Sequence, residues 1–87
     1  MSLTLKQLRY ADALAAQGHF GRAAEACAVS QPALSQQIKE LETTLGMPLF
    51  ERAPRSVRLT PFGAQIIARA RQVLADVDAL GDLARAA

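Results

Sequence analysis

Gln31, Gln36 and Lys39, with Ser35 beside them and Thr43 further along, fall at spacings that line up on one side of a helix. Amides, hydroxyls and one cation are the groups that read base edges in a major groove. Glutamine bonds adenine bidentately, and lysine reaches guanine or a phosphate. A good bidentate pair discriminates between bases by roughly 1–3 kcal/mol. Taken alone, such a face is equally a solvated helix surface, and its neighbours decide between the two. Arg52, Arg55 and Arg58 follow within seven residues, with Glu51 the neighbouring carboxylate. Ordinary surface charge explains them less well than contact with a sugar-phosphate backbone.

Other chemistries lack their residues. Ser30 and Ser35 have no histidine base at a recognisable spacing, so nucleophilic catalysis and enzyme activity are unsupported. His19 stands alone and makes no metal site; it suits an N-cap region or the surface. Asp76, Asp78 and Asp82 sit inside a continuous helical pattern, which fits a solvated face and not a metal loop. Cys27, the one cysteine, shares a stripe with Phe20 and Ala24 and reads as a small core hydrophobe. No glycine-rich phosphate loop is present, and no cofactor or metal is implied.

At 87 residues the chain is one small domain with a thin core, for which oligomerisation adds stability. Half the residues are apolar but many are alanine, and Tyr10, Phe20, Phe50 and Phe62 are the aromatics, a composition suited to close-packed helices. No apolar run approaches the roughly 20 residues needed to span a bilayer. The start, MSLTLKQL, lacks the apolar core of a secretory signal, and a single cysteine fits a reducing compartment, so the cytoplasm is expected. A net charge of +2 decides nothing by itself, whereas its distribution does. Met47 to Gln72 carries five arginines against one glutamate, a net +4; Val73 to Ala87 carries one arginine against three aspartates, a net −2. A basic middle and an acidic end suggest different partners.

These groups need elements to position them. A first helix starts at Thr4, whose spacing to Gln7 is that of a capping box, with Leu3 and Leu8 as a staple. Leu5, Leu8, Ala11 and Ala15 form its inward stripe, and Gly18 ends it. A second helix runs from about Phe20 to Cys27, its Phe20, Ala23, Ala24 and Cys27 on one side. The third runs from about Gln31 to Leu45, with Ser30 as N-cap, Pro32 in the first turn, an apolar stripe of Leu34, Ile38, Leu41 and Leu45, and Gly46 closing it. Small alanines on the second helix let the third cross closely, as a helix-turn-helix requires. Leu49–Arg52 and Val57–Thr60 read as two short strands around an Ala53–Ser56 turn, a ribbon carrying three arginines. Thr60 caps a last helix with Pro61 at its first position. In that helix Ile66, Ala70, Val73, Val77, Leu80, Ala84 and Ala87 follow heptad a/d spacing, with Ile67 and Leu74 widening the stripe. Phe62, Gly63 and Ile66 are expected to dock locally, and Val73, Val77 and Leu80 to meet a second chain.

Arg22-Ala23-Ala24, Val29-Ser30-Gln31-Pro32-Ala33-Leu34-Ser35, Ile38, Leu41-Glu42, Leu45-Gly46, Leu49-Phe50-Glu51-Arg52 and the run RLTPFG together resemble the N-terminal DNA-binding domain of LysR-type transcription regulators over essentially the whole chain. Within that family, His19-Phe20 and Glu25-Ala26-Cys27 look most like the peroxide-sensing OxyR branch. The resemblance implies a mainly α fold, a winged helix-turn-helix of three helices and a two-stranded wing over residues 1–60. A long linker and dimerisation helix over 61–87 follows. It also implies a C-terminal effector domain, absent from these 87 residues, which are expected to be a piece of a longer regulator. Carried over by position, Ser30, Gln31, Pro32, Ala33, Ser35, Gln36 and Lys39 belong to the major-groove face. Arg52, Arg55 and Arg58 belong to the wing, and Arg22 to phosphate anchoring. Ile66, Ala70, Val73, Val77, Leu80 and Ala84 would form the interface of a homodimer, and the full-length regulator could be a tetramer. Ala28 departs from the glycine that many helix-turn-helix families place in this turn. The partner implied is double-stranded DNA bearing an inverted repeat, with no membrane involved. The rivals are a helical protein-interaction module and a non-specific architectural DNA binder.

Overall fold

A computed structural model of the chain describes residues 2–87. Four helices and a hairpin succeed one another: α1 (Leu5–Gln17), α2 (Phe20–Ala26), α3 (Gln31–Leu45), β1 (Phe50–Ala53), β2 (Ser56–Leu59) and α4 (Pro61–Ala86). Each helix begins at a side chain able to accept from an orphan amide. Thr4 and Gln7 form a reciprocal capping box, and Ser30 and Thr60 accept from the amides of Ala33 and Gly63. His19 caps α2, its Nδ1 accepting from the Arg22 amide at 3.2 Å. α1 and α3 end on Gly18 and Gly46 at φ 65° and 79°, the left-handed conformation in which a Cβ is costly.

The core is where α1, α2 and α3 pack on one another, with α4 lying against α1 and β2. Leu14, Leu34, Ile38, Leu41, Leu49 and Ile67 are its largest fully enclosed side chains, with Ala11, Ala23 and Ala24 allowing close approach. Along α1 the inward stripe differs from the expected one. Leu8 and Ala11 are buried, but Leu14 and Gln7 join them, whereas Leu5 is 43% exposed and Ala15 half-buried. Gln7 is tolerated inside because its amide is used twice, accepting from the Thr4 amide and donating to Gln37 at 3.3 Å.

α4 carries two apolar faces. Gly63, Ile67, Ala70 and Leu74 are buried against the rest of the chain. Ala70 therefore belongs to the protomer's own core, at 3% exposure, and not to a face open to a second chain. Ile66 is packed half-buried at the edge of that core. The heptad count missed this because the core stripe and the outer stripe share Ala70. Arg71 pairs with Asp12 at 2.6 Å and Arg9 with Asp78 at 3.0 Å, fixing α1 and α4 antiparallel. Past Leu74 no residue of α4 is buried, and with its last turns included the protein measures 48 Å in longest extent. Val73, Leu80 and Leu83 stand 42%, 68% and 69% exposed there, Val77 is half-buried and Ala84 exposed. No helix among the described residues is long and apolar enough to cross a membrane.

Candidate nucleic-acid interface

The two-helix unit at the centre of the chain is set by its turn. Ala28 sits at φ 56°, left-handed, with its amide bonded to the Glu25 carbonyl and that of Val29 to the Ala24 carbonyl. The turn thus takes the conformation glycine favours while keeping an alanine. It delivers Ser30 to the start of α3, where its hydroxyl oxygen closes the cap and its O–H donor remains unused by that bond.

From that start α3 presents one polar face. Gln31, Pro32, Ala33, Gln36, Lys39 and Thr43 are all exposed, and Ser35 is half-buried among them. The opposite side, Leu34, Ile38 and Leu41, is completely enclosed. Burial of these three holds the axis of α3 rigidly while its outward side chains remain in solvent. Two of the outward groups are already engaged. Gln36 Nε2 donates to Glu40 at 3.2 Å, and the Thr43 hydroxyl donates to the Lys39 carbonyl at 2.9 Å. Gln36 keeps its carbonyl oxygen and one N–H for a base edge. Arg22 is exposed at the start of α2.

The ribbon is an antiparallel hairpin with Phe50 opposite Leu59 and Ala53 opposite Ser56, leaving Pro54 and Arg55 as a two-residue turn. Both strands lie one residue from their expected limits, β1 later and β2 earlier. The Leu49 amide donates to Glu42 at 2.7 Å, and its carbonyl accepts from the Thr60 amide at 2.9 Å. The Val57 amide donates to the Gly18 carbonyl at 3.0 Å, tying β2 to the end of α1. Phe50 and Val57 point into the core, and Arg52, Arg55 and Arg58 remain exposed. Between the ribbon and the starts of α2 and α3 lies a cleft of about 170 Å³, lined by His19, Gly21, Gln31, Arg52 and Arg55 among others. Arg52, whose guanidinium lies 5.4 Å from the centre of the Phe20 ring, lines both this cleft and a groove beside Lys39 and Thr43.

The cleft and the groove thus bring together Gln31, Lys39, Arg52 and Arg55, whereas the register sets Arg58 beside Glu51 on the other face of the ribbon from Arg52. The stripe of α4 forms a separate surface. Glu42 and Phe20 went unnoticed as parts of the groove and the cleft. Glu42 has the spacing of an ordinary surface carboxylate on α3, and nothing local shows that a loop seven residues later returns to it.

A helix pair with a close alanine crossing, an exposed polar second helix and an arginine-bearing hairpin define a winged helix-turn-helix DNA-binding domain. The chain belongs to the bacterial regulatory helix-turn-helix proteins of the lysR family, whose family model matches residues 5–64. It is 48% identical over 83 residues to the HTH-type transcriptional regulator IlvR of Caulobacter vibrioides, covering 95% of this chain and 28% of that protein. A full-length OxyR variant from Pseudomonas aeruginosa superposes with a TM-score of 0.93 at 50% identity, over 98% of this chain and 29% of that one. The DNA-binding domain of CbnR in complex with DNA superposes at 0.89 and 37% identity, over 95% of each chain. The chain spans between a quarter and a third of the length of the curated relatives it matches.

Proposed function

We propose that this domain binds an inverted-repeat operator as a homodimer, with α3 reading bases in the major groove and the wing gripping the backbone. The observation that carries this is the division of α3 into an enclosed apolar side and an exposed Gln31–Gln36–Lys39 side, with three solvent-facing arginines on the adjoining hairpin. That the similar CbnR domain is solved in complex with DNA supports DNA as the partner here. Residues 1–60 act as the reading unit and 61–87 as the dimerisation helix, in a transcription regulator working in the cytoplasm. Val73, Val77, Leu80 and Ala84 supply the interface, joined by Leu83. The exposed leucines of α4 favour a second copy, because leaving them in water sacrifices roughly 1.5–3 kcal/mol each. Paired recognition helices would then enter successive major grooves about 34 Å apart.

Selection of sites from a random duplex pool at near-physiological salt tests the proposal. Enrichment of a two-fold symmetric site is the expected result. Retention with no enriched sequence would mean backbone-only binding, and no retention would favour a protein-interaction module. On the enriched site, Gln36→Ala should relax preference at one position per half-site, whereas Arg55→Ala should weaken all sequences alike.

A further inference from the structure

Arg52 is held from two sides. The Phe20 ring of α2 lies against its guanidinium, and Glu42 Oε1 of α3 is 3.5 Å from its Nη2. The other oxygen of the same carboxylate accepts from the amides of Leu49 and Phe50, at 2.7 and 3.3 Å, where the hairpin begins. One carboxylate on the recognition helix therefore anchors the base of the wing and faces the wing's first arginine. The Glu42 side chain is largely covered, at 16% exposure, while that of Arg52 is 49% exposed. A guanidinium carries five N–H donors, of which Glu42 takes one, and Arg52 lines a groove together with Lys39.

We propose that Glu42 is a positioning residue of the DNA interface: it aims Arg52 at a backbone phosphate and fixes the wing's distance from the recognition helix. This rests on the operator-binding role of the wing. A long arginine that is already oriented loses little freedom when it meets a phosphate, so the ion pair raises affinity by pre-organisation. The opposite sign is equally definite. If Glu42 were only a negative charge near DNA, or a competitor for Arg52, its removal would tighten binding.

Glu42→Gln separates the two. The amide keeps one carbonyl oxygen for the Leu49 and Phe50 amides and loses the charge that faces Arg52. Binding of the whole 87-residue chain is measured by fluorescence anisotropy, across a salt series, to a selected inverted-repeat duplex and to a scrambled one. Urea unfolding of each variant is followed in parallel. Glu42→Gln should keep its unfolding midpoint near that of the parent. It should weaken both duplexes roughly three- to tenfold, as a partial loss of one charge-assisted contact. The salt slope should fall toward the value in Arg52→Gln, which loses about one unit per half-site. In the Arg52→Gln background the Glu42→Gln change should have almost no further effect, since the two act through one contact. Unchanged or tighter binding by Glu42→Gln, with Arg52→Gln still impaired, would overturn the positioning role alone, as would penalties that multiply in the double variant. An Arg52→Gln protein with parental affinity and slope would remove the wing-phosphate contact and the positioning role with it. Where Glu42→Gln shifts the unfolding midpoint, the double-variant comparison still decides, because a purely structural loss persists without Arg52.

Discussion

Gly63 sits in the first turn of α4 directly against the backbone of the loop that precedes the wing. A Cβ at this position would lie 2.0 Å from the Leu49 carbonyl oxygen and 2.8 Å from its carbon. Both are backbone atoms of a completely enclosed residue. To restore even a tight contact, α4 and Leu49 must separate by more than 1 Å. That separation strains the 2.9 Å bond from the Thr60 amide to the Leu49 carbonyl and the 2.7 Å bond from the Leu49 amide to Glu42. Overpacking costs about 1–3 kcal/mol, and one buried backbone bond left unmade adds about 1–3 kcal/mol, so Gly63→Ala should destabilise by roughly 2–6 kcal/mol. For a domain of this size each kcal/mol moves the midpoint by about 4–8 °C, so the melting temperature should fall by at least roughly 8 °C. The control lies in the same helix. At Gly81 an added Cβ meets only the tip of Arg85 at 3.5 Å, and alanine there should stabilise by about 0.5–1 kcal/mol through helix propensity. Thermal unfolding by circular dichroism, at equal protein concentration, compares the two. A Gly63→Ala protein melting within a couple of degrees of the parent would refute the close approach of α4 to Leu49.

Ala28→Gly should stabilise by about 0.5–1 kcal/mol, because the left-handed penalty of about 1–2 kcal/mol outweighs the added freedom of the unfolded chain; a lower urea midpoint would contradict this. Leu80→Asp should leave the protomer folded, since that side chain is already in solvent, yet shift sedimentation toward monomer and weaken operator binding. A variant that sediments as the parent does would remove Leu80 from the interface. Burial pushes the Cys27 thiol up from its ordinary value, so its thiolate is scarcer than that of an exposed cysteine near neutral pH. Alkylation by iodoacetamide should therefore lag behind glutathione and accelerate in urea; equal rates in the folded protein would contradict the burial. The folded state holds this proton more tightly than the unfolded one. The linked stability is accordingly present at neutral pH and is lost as pH rises past the ordinary thiol value through the raised one.

Local signals carried most of the fold. Caps and stops at Thr4, Ser30, Gly46 and Thr60 are written within a few residues of where they act, because an orphan amide or a left-handed turn is satisfied by its immediate neighbours. The enclosed side of α3 follows from a 3.6-residue period, and its polar side is what remains, so the groups able to meet DNA were legible before any contact was known. Tertiary structure decided what depends on residues far apart in the chain. It placed Ala70 in the protomer's core, turned Leu5 outward in favour of Gln7 and Leu14, and paired Asp12 with Arg71 and Arg9 with Asp78. It also returned Leu49 to Glu42 and Gly63, and brought Arg52 between Phe20 and Glu42. Periodicity reports that a helix has an apolar side, but a helix with two such sides carries no record of which neighbour covers each. A carboxylate likewise shows its partner only when the chain folds back to it.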